Sequence, residues 1–245
     1  MTQATMAPPA GLRTTSRSNP AVRPAAVAVA ALGLVQAAVA AMNLSPLIDH
    51  YTVAALIDVN GEANLIAWLS SAVLLVTAAG AGLAAVADRA AAAPRHRWFG
   101  WALIAALFVV LSVDETAGLH ELAGEEAHHL LDSEALPSLY TWVLVVAPVG
   151  MVIAFFMARW FATTIGLSSA PGRLAIAAIV LWLAVPALEA FDPSLGGPAL
   201  LSVIEESLES AGEALMLAGV LVYLGAPGRL AALARRGTAA EESPA

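Results

Sequence analysis

Residues Trp98 to Asp132 read WFGWALIAALFVVLSVDETAGLHELAGEEAHHLLD. From Trp98 to Val113 there is no charged side chain, and the run is apolar enough to enter a bilayer. A helix needs about 20 such residues to cross the hydrocarbon core. The second half changes character: Asp114, Glu115, His120, Glu121, Glu125, Glu126, His128 and His129 follow in close order. At 1.5 Å per residue, Asp114 lies roughly 24 Å along the helix from Trp98. Carboxylates therefore enter the membrane on a spanning helix.

The rest of the chain agrees. It has 245 residues, 60% hydrophobic and 12% charged, with mean hydropathy +0.79. A soluble domain carries about 25% charge, so the class is integral membrane and all-α. There is no cysteine. Disulfides, thiolate metal sites, iron–sulfur clusters and thiol nucleophiles are excluded. There is also no lysine, which excludes Schiff-base chemistry and a retinal linkage. A chain of net charge −8 offers no general attraction to nucleic acid.

Six apolar runs predict spans at roughly 25–43, 63–87, 98–120, 138–159, 173–190 and 200–224. The first follows Arg13, Arg17 and Arg23 and ends in AAVAAM, so it reads as a span or as a secretory signal; its length favours a span. Residues 1–24 are expected to be a flexible cytoplasmic tail, 25–226 the six-helix domain, and 227–245 a second cytoplasmic tail. All 11 basic residues are arginines, and with both termini inside all fall on one face. The positive-inside rule then predicts a polytopic bundle with both termini cytoplasmic. The alanine-rich, lysine-free, arginine-only composition suggests a GC-rich bacterial genome and hence a bacterial inner membrane. Trp98, Trp101, Trp160 and Tyr223 would mark the inner boundary, and Tyr140 and Trp142 the outer one.

The acids distribute the other way. Of 19, only Asp88, Glu241 and Glu242 fall inside, which leaves sixteen outside or in the outer halves of spans. Those in loops, such as Asp49, Asp58, Glu62, Asp132 and Glu134, need no role beyond solvation. Those within spans are informative. Span three brings Asp114 and Glu115, and span five ends with Glu189 and Asp192. Asp192, before Pro193, has a helix-ending reading that Glu189 lacks. Span six carries Glu205, Glu206, Glu209 and Glu213. Glu205, Glu209 and Glu213 repeat at i, i+4, i+8, and Asp114, Glu121, Glu125 and His128 fall on one helical stripe if the helix continues. Asn43, Asn60 and Asn64 lie where caps or supporting donors would be needed.

A mid-leaflet acid costs about 2.5–3.5 kcal/mol and must face the interior with a partner. The outer half holds no arginine or lysine to serve. Close carboxylates cannot all stay ionised. Bound metal, protons, protonated histidine or a basic partner chain must supply the charge; neutral, hydrogen-bonded packing acids are the plain alternative. As a metal site, the candidate ligands are Asp114, Glu115, His120, Glu205, Glu209, Glu213 and Glu189. Carboxylate with some imidazole suits a divalent ion such as Fe, Mn or Zn, and Ca fits less well. The overlapping Glu125-x-x-His128 and Glu126-x-x-His129 pairs have the spacing used in helix-bundle metal sites, but a solvated outer helix or loop is the preferred reading for them.

Ser112-Val113-Asp114-Glu115 with His120-Glu121 resembles an S-x-D-E-x4-H-E block of uncharacterised multispanning bacterial membrane proteins. Glu205-Glu206-x-x-Glu209 is similar to their late acidic block. The resemblance covers those blocks alone and implies no activity. The His-x-x-x-His of ceramidase-like membrane hydrolases is absent from the late spans.

Three functions are expected candidates. One is a metal-dependent membrane enzyme, hydrolase or oxidoreductase, on a lipid-like or periplasmic substrate, with Glu121 or Glu206 as general base. Another is a cation or proton transporter or channel, whose inner half offers only Gln36 and Thr77 as further polar steps. A third is a non-catalytic subunit whose acids meet a basic partner. Membrane lipid is the expected environment, and a homo-oligomer or partner subunit fits any of the three.

Overall fold

The structure is a computed structural model, and it describes residues 22–43, 56–57, 64–130, 138–189 and 198–231. The loops bearing Asp49, His50, Asp58, Asn60, Glu62, Asp132, Glu134 and Asp192, with residues 1–21 and 232–245 of the tails, lie outside the described residues. No strand occurs among the described residues. The helices are α1 (Val22–Asn43), α2 (Leu65–Ala90), α3 (Arg95–Ala117), α4 (Leu119–Leu130), α5 (Ser138–Trp160), α6 (Ala170–Glu189) and α7 (Pro198–Leu224). A π-helical turn, Phe161–Gly166, extends α5. Six helices are long and apolar enough to cross a membrane. Five coincide with the predicted runs to within a few residues at each end, whereas the fourth, Val146–Gly166, is shifted from the expected 138–159 toward the π turn.

Local chemistry sets the ends. Asn64 caps α2, its side-chain oxygen accepting from the N–H groups of Ile66 and Ala67 at 2.8 and 3.0 Å. Asn43 closes α1 by donating to the carbonyls of Val39 and Ile57 at 3.0 and 2.7 Å. Pro148 and Pro186 sit inside α5 and α6, where neighbouring helices make proline tolerable in a membrane. α3 stops at Ala117 because Gly118 adopts φ 56°, the left-handed helix-ending conformation. The predicted stripe from Asp114 to His128 is thereby interrupted. Asp114 ends one helix, and Glu121, Glu125 and His128 belong to the next.

Helix α7 is the centre. It packs against α1, α2 and α6, while α2 also packs along α3, and α4 lies along α5. Sixty-one per cent of its spanning window is buried, against 11% for α1 and for α5 with its π turn. Enclosure explains how the span richest in acid exists in a membrane: its polar face meets protein rather than lipid. The apolar core joins Leu74, Ala78 and Ala81 of α2, Trp101, Ile104 and Phe108 of α3, Ile179 of α6, and Met216 and Val220 of α7. Small residues let helices approach. A Cβ on Gly80 would fall 2.7 Å from the Val220 side chain, so α2 and α7 need glycine there.

One end of the bundle is locked by charge. Asp88, 1% exposed, accepts from Nε and Nη2 of Arg97 at 2.9 and 3.1 Å and from Nη1 of Arg229 at 2.7 Å. The Tyr223 hydroxyl donates to the same carboxylate at 2.5 Å. The Arg229 guanidinium lies 3.5 Å from the centre of the Tyr223 ring. This clamp gathers the C-terminal end of α2, the N-terminal end of α3 and the C-terminal end of α7. Glu115 therefore lies toward the opposite end of α3. Eighteen residues separate Ser70 from Asp88, about 27 Å of helix, so acids and arginines occupy opposite ends.

Candidate functional site

The acid end is built by α2, α3 and α7. Ser71 and Ser112 hold α2 to α3 with reciprocal bonds: Ser71 Oγ donates to the Ser112 carbonyl at 2.7 Å, and Ser112 Oγ to the Ser71 carbonyl at 2.9 Å. Hydroxyls bridging two helices satisfy themselves where water is absent. The Ser112 of the S-x-D-E block is thus a suture. It fixes the turn of α3 from which Glu115 projects.

On α7, Glu205, Glu206 and Glu209 are partly buried and Glu213 is 5% exposed. The Ser70 hydroxyl donates to Glu213 Oε1. A cavity of about 20 Å³ lies beside them, bordered by Gln36 of α1 and Ser210 of α7, with room for roughly one water. Glu115, partly buried on α3, lies within electrostatic reach of both Glu206 and Glu213. Glu206 also feels Glu205 and Glu213. Glu206 and Glu213 are seven residues apart and share a face, so the working row includes a heptad pair beside the i, i+4 ladder. α6 supports α7 from behind: Trp182 Nε1 donates to the Glu209 carbonyl at 3.2 Å, and a Cβ on Gly212 would meet that indole at 2.5 Å.

Asp114 does something different from Glu115. Its Oδ1 accepts the His120 backbone N–H at 2.9 Å, and its Oδ2 lies 3.1 Å from His120 Nδ1. The two residues bridge the break at Gly118, and Asp114 caps the start of α4 from the end of α3. Glu125, Glu126 and His129 are exposed, while His128 is partly buried and its Nδ1 has no partner among the described residues. The side chains of Glu121 and Glu189 lie outside the described residues.

The predicted site residues, ligands and the general-base candidate Glu206 alike, therefore divide. Glu115, Glu206 and Glu213 gather in one interior zone, with Glu205 and Glu209 on the same helix. Asp114 and His120 form a pair beside it. Among the described residues, no three His, Asp or Glu are assembled closely enough to hold a metal ion. Sequence reasoning missed Ser70, Ser71 and Trp182, which position the acids. It also treated Asp88 as an ordinary inner-face acid. The signal available for Asp88 was Arg97 nine residues on, across a short turn.

These features define a multi-pass membrane helix bundle with an embedded acidic site. The chain belongs to the family described as Domain of unknown function (DUF8692), whose model matches residues 25–224. That range takes in all six spans and both acidic blocks. No curated protein and no solved structure matches it.

Proposed function

We propose that this is a cation-binding membrane protein whose site is Glu115, Glu206 and Glu213, reached from an acidic outer face. The carrying observation is the convergence of three carboxylates from two helices, far from the arginine end. Protons are the cation that this arrangement takes most directly. Each carboxyl can hold one without moving, Ser70 already bonds Glu213, and the small cavity offers a water at the same point. The inner half of α7, Leu215 to Leu224, is apolar, and Thr77 of α2 spends its hydroxyl on the Val73 carbonyl at 2.8 Å. A site with one polar entrance favours binding or catalysis over passage through the bundle.

A second reading, a metal-dependent membrane enzyme, is favoured by Asp114 and His120, which put an imidazole beside Glu115. The donor set of carboxylate and imidazole suits Fe, Mn or Zn. Such an ion would require Glu115, Glu206 and Glu209 to close on one point and His120 to turn from Asp114. It would supply Lewis-acid or redox chemistry to a lipid-like substrate. Glu121 would then hold the transferred proton.

Infrared titration of the protein in nanodiscs, with element analysis of the same sample, tests both. A protonated-carboxyl band lost in Glu213→Gln supports the proton reading. Stoichiometric Fe, Mn or Zn lost in Glu206→Gln and Asp114→Asn supports the enzyme. The absence of both a titrating band and a bound ion would overturn the proposal.

A further inference from the structure

Helices α3 and α5 border a groove of about 560 Å³ toward the arginine end. This is within the size range of small-ligand sites, roughly 300–1,000 Å³. Its walls are apolar, with Leu103 and Leu107 on α3 and Val152 and Phe156 on α5. Leu103, Val152 and Phe156 are each more than half exposed. Trp160 closes the floor: its Nε1 donates to the His96 carbonyl at 3.1 Å, and Gly100 beneath it has no room for a side chain.

The mouth is polar and positive. Arg159 and Thr163 line it, and no acid does. Four other arginines at this end are engaged. Arg97 and Arg229 hold Asp88, Arg89 lies 5.4 Å over the Trp98 ring, and Arg173 donates to the Ser168 carbonyl at 2.7 Å. Arg159 is exposed and forms no ion pair among the described residues. An apolar slot with a cation at its boundary end is complementary to one amphiphile, a chain with an anionic head.

We infer that the α3–α5 groove retains an anionic phospholipid, with an acyl chain along Leu103 and Phe156 and the phosphate on Arg159. The Thr163 hydroxyl donates to the Arg159 carbonyl at 2.8 Å and holds that turn, and Arg matches phosphate with paired N–H groups. The inference stands on this groove alone and is independent of the acidic site.

The test uses the full chain, delipidated in detergent and titrated with phosphatidylglycerol or phosphatidylcholine, read by native mass spectrometry. Phosphatidylglycerol is expected to bind at one per chain and more tightly than phosphatidylcholine. Arg159→Gln should weaken it about fivefold, the worth of one basic residue at an anionic surface, and Arg159→Lys should recover most of that. Leu103→Trp should expel the lipid with Arg159 intact. Equal retention of the two lipids, or no change in Arg159→Gln, would overturn the inference. So would a dimer of this chain that Leu103→Trp dissociates, since a second copy would then fill the groove.

Discussion

Replacing Asp88 by asparagine tests the clamp that closes the arginine end. The wild-type carboxylate is 1% exposed and receives four hydrogen bonds, three of them from guanidinium groups. Asparagine keeps one acceptor oxygen but presents an NH₂ where the other faced Arg97 Nε and the Tyr223 hydroxyl. It also removes the only negative charge that the clamp shows the two arginines. Breaking a buried ion pair costs about 3–5 kcal/mol. Arg97 and Arg229 keep 31% and 22% side-chain exposure and can turn to water, which discounts the loss to the low end. The expected cost is about 3 kcal/mol, over 100-fold in the folded-to-unfolded ratio. SDS-titrated unfolding in bicelles measures it, with tryptophan fluorescence reporting on Trp101, whose ring is 4.6 Å from Tyr223. Arg97→Gln alone should cost about 1–2 kcal/mol, and the double variant should lose less than the sum of the singles. An Asp88→Asn protein as stable as wild type, or an additive cycle, would refute the clamp.

Other perturbations address single features. Gly118→Ala should cost about 1–2 kcal/mol in the same unfolding assay, because a side chain at φ 56° is strained. Gly212→Val should displace Trp182 from the Glu209 carbonyl, seen as a changed tryptophan emission, while Gly33→Val, with nothing within 4 Å of its Cβ, should not. Ser71→Ala and Ser112→Ala should each cost roughly 0.6 kcal/mol, the usual worth of a hydrogen bond between membrane helices. Their combination should fall short of additive, because each hydroxyl serves the other helix's carbonyl.

Most of the architecture was legible in residues alone. Runs such as 25–43 and 63–87 announce membrane helices by length and apolarity, and tertiary packing scarcely moves their ends. The break within TAGLH was legible in principle, since a glycine after Ala117 is the usual helix-ending signal. A periodic stripe of acids obscured it. Acids of spans three, five and six were expected in the outer half of the membrane, and Glu115, Glu206 and Glu213 are those within electrostatic reach of one another. Which acids face inward was not foreseen, because helix rotation depends on packing. Ser71 against Ser112, and Trp182 against Gly212, set that rotation, and none of these residues stands out by charge. Asp88 was illegible for a related reason. An acid among arginines at a loop reads as solvated, and its burial arises when α7 brings Tyr223 and Arg229 across.

The placement of α7 bears on how the bundle must assemble. An isolated helix with four glutamates partitions poorly into lipid, at a cost of a few kcal/mol for each acid near its centre. The helices that enclose it, α1, α2 and α6, all precede it in the chain, so its shelter is already present when it emerges. Insertion of this segment should therefore depend on its predecessors. Grafted alone into a reporter for translocon insertion, it should fail, whereas α3 should succeed.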